Sequence, residues 1–394
     1  MQNNGEAVTA DEFSLAGGQI MIDQRATIAA IILSVIGAAT FLVMPVVLGS
    51  AVVTFNFSER EVGLIAALLM AGNALSAASA LFWVRVVDWR MAARIALLLQ
   101  GLALVALTHS SGFIGVGLWF FCASLGGGAV YSLALTVLSD HHYSDRVFGY
   151  AVTSEVAFQV AGMLLLSHFT VPDGFNQLMW GLAGLVMIGL VLTRWLPHRG
   201  AVIAAASSIV GVLRQRKVIM ALLGCLVFYF NVGCVWAYVE RMGSGAGFNA
   251  ADLGNALALG CSAGMAGGLV ASWQGARFGR VTPLALGTIG TVLAVAFLLP
   301  TVGFTVFLLA LALYSFVFNY SLTYQLAVIA TADESGRCIA VAGAFQMVGG
   351  AMGPALAALL IVPGSFLAVN VLAAASAILS FGLFLSAARV VKAN

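Results

Sequence analysis

The chain has 394 residues, 62% of them hydrophobic and 8% charged, with a formal net charge of +2 and a mean hydropathy of +1.05. A soluble domain is roughly half apolar and a quarter charged, so no aqueous fold hides this much apolar surface. The small basic excess sits at the ends of apolar runs and forms no stripe, which excludes a nucleic-acid-binding surface.

An apolar run of about 20 residues crosses a hydrocarbon layer as a helix. Twelve such runs are predicted, at 27–50, 61–84, 92–109, 112–138, 148–170, 178–195, 218–240, 252–273, 281–300, 304–329, 340–362 and 365–387. Helices are expected because a lipid-exposed backbone must satisfy its own hydrogen bonds and no segment alternates like a barrel strand. Residues 1–26 are polar and carry Glu6, Asp11, Glu12 and Asp23, unlike a cleaved signal peptide, and read as a cytoplasmic tail.

With the amino terminus inside, fifteen of the seventeen Lys and Arg residues fall on one side: Arg25, Arg85, Arg90, Arg94, Arg146, Arg194, Arg199, Arg214, Arg216, Lys217, Arg277, Arg280, Arg337, Arg389 and Lys392. Arg60 and Arg241 fall on the other. Gaining or losing one span would scramble that partition, so it argues for an even count, both termini cytoplasmic and a bacterial-type inner membrane.

The hydrophilic stretch 196–217 divides the chain into six spans (27–195) and six spans (218–394), and its middle, Ala201 to Leu213, is expected to form an interfacial helix. Short words recur across the divide. Ala157-Phe158-Gln159 returns as Ala344-Phe345-Gln346, Tyr131-Ser132-Leu133 as Tyr320-Ser321-Leu322, and Glu61-Val62-Gly63 as Asp252-Leu253-Gly254, with nearly one offset. Parallel repeats of this kind suit alternating access.

Over nearly its whole length the chain resembles the major facilitator superfamily: in span count, in the central loop and in paired loops after spans 2 and 8. Gly275-Ala276-Arg277-Phe278-Gly279-Arg280 is similar to that superfamily's loop signature, with Ala276 where an acid is expected; Arg85 to Arg90, with Asp88 displaced, is a looser version. The resemblance implies an all-α membrane fold of two pseudo-symmetric six-helix bundles. It also implies that these loops lock the halves together on the cytoplasmic side, with Arg85 and Arg277 capping carbonyls or pairing with acids such as Asp88. Gly349, Gly353 and Pro354 in span 11 resemble a Gly-x-x-x-Gly-Pro signature that antiporters of the superfamily carry in span 5. In physical terms, small residues four apart let helices approach and a proline kinks one, as a gate or as ordinary packing would use them.

Glu155 alone among the fifteen acids falls well inside a span. An ionised carboxylate at that depth costs several kcal/mol, so it is expected to face the protein interior, as a proton-coupling site or as a structural carboxylate. Gln159 and Gly162 share its helix face. The resemblance places spans 1, 2, 4, 5, 7, 8, 10 and 11 around a central path, so Tyr131, Gln159, Tyr229, Asn231, Tyr238, Asn319, Tyr320, Tyr324, Gln325 and Gln346 are its candidate substrate contacts. No Lys or Arg lies deep in a span, which disfavours multiply anionic cargo. Glu240 with Arg241, and Glu59, Arg60 and Glu61, read as solvated rim charges.

The five cysteines are scattered without metal-ligand spacing and read as small packing residues. No histidine pair within a span suggests a metal site. Gly260-Cys261-Ser262-Ala263-Gly264 lies in a helical run without a following His and acid, so an enzyme is not expected, and no cofactor is implied. The sequence thus points to a monomeric carrier in the lipid bilayer that moves a small neutral, cationic or amphipathic organic solute with protons. Alternatives are an uncoupled facilitator or exporter and a non-transporting sensor on the same fold.

Overall fold

The structure, a computed structural model, describes residues 23–141, 144–169, 171, 173–199, 215–275, 277–299, 301–332 and 337–393. The tail up to residue 22, the interfacial helix expected at Ala201 to Leu213 and Ala276 lie outside the described residues. Twelve helical segments follow in chain order. α1 runs Gln24–Leu42 and, after a break at Val43, Met44–Phe55. α2 is Glu59–Trp83, α3 Trp89–Thr108, α4 Gly112–Ser139, and α5 Ser144–Leu164 with a short continuation Leu166–Phe169. α6 is Gly174–Leu192, α7 Arg216–Gly245, α8 Ala250–Gln274, α9 Val281–Phe297, α10 Phe304–Ala332, α11 Arg337–Leu360 and α12 Leu367–Ala393.

Among the described residues, eleven helices are long and apolar enough to cross a membrane. The twelfth expected span, α9, is a 17-residue apolar helix, about 26 Å at 1.5 Å per residue. Outside the helices, the described residues hold one isolated bridge, Val362 to Ser365. Helix starts follow local chemistry. Ser58 and Glu61 form a reciprocal capping box at α2, and Asn249 caps α8 through Asp252.

The break in α1 has a single-residue cause. Pro45 carries no N–H, so the carbonyl four residues back, Phe41, has no helical partner. Trp236 Nε1 of α7 donates to Phe41 O at 3.5 Å, and Gln159 Nε2 of α5 donates to the neighbouring Leu42 O at 3.2 Å. Sequence runs gave this span as unbroken.

α1 to α6 form one six-helix lobe and α7 to α12 the other, as the pairings show: α2 with α4, α3 with α4 and α6, then α8 with α10 and α7 with α12. The lobes meet chiefly through α2 against α11, α5 against α8 and the second segment of α1 against α7. α11 is therefore sandwiched between α7 of its own lobe and α2 of the other. Its face toward α7 is glycine because backbone lies directly against backbone. A Cβ at Gly349 would stand 2.0 Å from Leu226 O, and one at Gly353 2.3 Å from Phe230 O. Gly353→Val is expected to lower stability by about 2–3 kcal/mol, read as a reduced melting temperature of the purified protein, whereas Gly343→Ala, with nothing within 4 Å of its Cβ position, leaves it unchanged.

Candidate functional site: the interlobe cluster and its far-side closure

Four of the expected site residues converge on the space between lobes. Glu155 projects from the middle of α5 beside Ser34 of α1, and Tyr131 of α4 lies within its electrostatic reach. Tyr131 is in turn within electrostatic reach of Tyr229 on α7, in the other lobe. Tyr229 neighbours Cys225, which contacts the Gln346 side chain of α11. Phe318 meets Tyr229 edge to face, ring centroids 6.0 Å apart, and gives the second lobe an aromatic wall. Glu155 Oε1 is buried and has no hydrogen-bond partner among the described residues. The cluster therefore combines one carboxyl, two phenols, an amide and an aromatic face, and each lobe supplies part of it.

The inner face of α5 packs on α1, with Gln159 donating to Leu42 O and Gly162 against Val43, and the helix meets α8 of the other lobe.

The other expected contacts are engaged elsewhere. Asn231 donates to Ala373 O and accepts from the Tyr314 hydroxyl at 2.6 Å, which binds α7, α10 and α12 into one core. Tyr320 donates to Gln274 Oε1 at 2.7 Å, and Tyr324 reaches the same atom at 3.3 Å, which staples α10 to α8. Asn319 packs against Gly264 of α8. Gln325 lines a cavity of about 10 Å³ inside the second lobe with Ser321, Thr288 and Thr291, and Gln159 holds the α1 break. A buried amide or phenol is satisfied equally well by a neighbouring carbonyl as by cargo, and for Asn231, Tyr320, Tyr324 and Gln159 a neighbouring helix supplies the partner.

The loop residues hold their own lobes together. Arg85 Nη1 pairs with Asp140 Oδ2 at 2.6 Å at the end of α4, in place of the expected Asp88. Asp88 caps α3 through Met91 N at 2.9 Å and meets His198 Nδ1 at 2.6 Å; the His198 hydrogen bond holds its carboxyl below the usual carboxylate range. Arg277 lies over the Trp273 ring, 5.4 Å from its centroid, and Arg280 donates to Thr331 at the end of α10. Each lobe thus fastens a loop arginine to the end of its fourth helix. The contacts described for Arg85 and Arg280 on this side stay within one lobe, and α4 and α10 pack chiefly within their own lobes.

The lobes lock at the opposite side, called the far side here because both chain ends lie on the other. Arg241 of α7 grips Glu59 of α2, Nη2 to Oε1 at 2.9 Å and Nε to Oε1 at 3.1 Å. The Tyr238 hydroxyl donates to Glu59 O at 3.1 Å, and its ring fits only because position 63 is glycine: a Cβ there would stand 1.9 Å from the hydroxyl. These charges, expected as a solvated rim, are an interlobe ion pair with both side chains 21% exposed. Tyr238 accordingly belongs to this closure. Together these contacts join the two lobes at the far side. Arg241→Ala is expected to shift the balance toward an open far side by about 1.5 kcal/mol, roughly tenfold, seen as a longer α2–α7 far-side distance by fluorescence energy transfer.

The family described as Major Facilitator Superfamily matches residues 28–335. No curated protein matches the sequence. Among solved structures, the chain is similar to a variant of the nucleoside transporter NupG, with a TM-score of 0.75 and 14% identity over 92% of this chain and 99% of that one. A bacterial homolog of the human lysosomal transporter Spinster, inward-facing and unoccupied, gives a TM-score of 0.72 and 11% identity over 92% and 96%. A D-xylose-proton symporter gives 0.72 and 13% over 90% and 96%. At these identities the likeness is one of fold. With its family matched over most of its length and its twelve helices paired as two lobes, the chain belongs to the Major Facilitator Superfamily and is a multi-pass membrane transporter of small molecules rather than an enzyme.

Proposed function

We propose that this transporter is a secondary active carrier that moves a small neutral, cationic or amphipathic organic solute by alternating access, with protons as the driving ion and Glu155 as their site. One observation carries the reading. A carboxyl lies midway along a span, within electrostatic reach of the Tyr131 phenol and beside Ser34, with one oxygen that has no hydrogen-bond partner among the described residues. Loading a proton there removes a charge from a poorly solvated place, and that change favours one facing state over the other.

The cargo class follows from the lining. Aromatic rings and neutral hydrogen-bonding groups hold a compact organic molecule, and the described interior offers no cation for phosphate or multiple carboxylates. The units that rock are residues 27–195 and 218–394, acting as a monomer. The charge partition supports cytoplasmic termini and an inner membrane, which puts the Arg241–Glu59 closure on the side away from the cytoplasm.

Transport into proteoliposomes tests the coupling. Under an inward pH gradient the wild type accumulates its solute; Glu155→Gln is expected to lose accumulation while still exchanging solute across the membrane at equal concentrations. Full concentrative uptake by Glu155→Gln would contradict the proton role and favour an uncoupled facilitator.

A further inference from the structure

We infer that Glu240 is a second proton-binding site, distinct from Glu155 and served from the far side, whose occupancy holds that side shut. Glu240 is the acid of the α7 far end and is 5% exposed. Its Oε1 accepts from the Ser244 hydroxyl at 2.7 Å. Its Oε2 is buried with no hydrogen-bond partner among the described residues; Arg241 Nη1 approaches only to 3.9 Å, because that guanidinium directs Nε and Nη2 to Glu59. The charged groups that reach Glu240 are thus Arg241 on its own helix and Glu59 on α2. α1 closes over it with Gly49, where a Cβ would lie 3.0 Å from the carboxyl carbon.

Two carboxyls therefore share one guanidinium inside a closed interface. If both are ionised, the interface holds an uncompensated negative charge and one oxygen that nothing solvates. A proton on Glu240 Oε2 removes that charge. When the lobes part, Glu59 leaves with α2 and Gly49 with α1. Water then reaches Glu240, and Arg241 is left to balance it alone. The proton comes from far-side water on closure and returns there on opening, so the protonated form matches the closed far side and the ionised form the open one.

This inference rests on the alternating-access reading but not on the role given to Glu155. The test is a fluorescence distance between labels at Thr54 and Gly245, both exposed on the far side, in purified protein titrated with acid and base. The wild type is expected to show a short distance in acid that lengthens as pH rises. Glu240→Gln stays short throughout, and Ser244→Ala, which removes a donor to the carboxylate, raises the midpoint by about one pH unit. A wild-type response in Glu240→Gln, an unmoved midpoint in Ser244→Ala, or no response in the wild type would overturn the proposal. Alternating access itself is read separately: Arg241→Ala must lengthen the distance whatever Glu240 does.

Discussion

Hydrocarbon offers no hydrogen bonds, and every polar group that this chain carries into the membrane has to be answered from within. That constraint organises the structure. It makes the spans helical, and it explains why the carbonyls beside the Pro45 break are met by Trp236 from one direction and Gln159 from another. It also turns the exceptions into information. Glu155 Oε1 and Glu240 Oε2 are buried carboxyl oxygens that the described residues leave bare, one between the lobes and one at their far-side seam.

Packing supplies the second element. Glycine at 349 and 353 lets α11 lie directly on α7, while its opposite side meets α2 of the other lobe. Because the α7–α11 contact is backbone on backbone, it has little freedom to deform. The α2–α11 contact sets side chains against glycine, Met70 against Gly350 and Ala358 against Gly63, without the backbone-on-backbone approach of α7 and α11. Rigid lobes and a compliant seam are the mechanical requirement for rocking. The described ionic contacts are asymmetric: on the side of the termini Arg85 is tied to its own lobe, and at the far side Arg241 crosses to Glu59.

Much of the fold is legible in the sequence because hydrophobic length and the placement of Lys and Arg are local properties. The twelve runs, the division near residue 200 and the glycine face of α11 are all visible there, as is Glu155, the lone acid deep in a span. What a polar side chain touches is not a local property. Asn231 and Tyr229 sit two residues apart on α7 and look equally suited to bind cargo, yet Asn231 bonds Tyr314 and Ala373 while Tyr229 lies within electrostatic reach of Tyr131 in the other lobe. Glu59 and Arg241 are 182 residues apart, and each alone is an ordinary charge at a helix end. The one sequence signal for their pairing was that Arg241 and Arg60 escape the positive side, which marks the far end as needing cations of its own.

The central claim is that the two ends of the carrier close alternately about the interlobe cluster. Paired distance measurements on one sample, between the far ends of α2 and α7 and between the opposite ends of α4 and α10, test it most directly. The account predicts that any ligand or substitution that lengthens one distance shortens the other. Both distances lengthening together, or one changing while the other stays fixed, would contradict it.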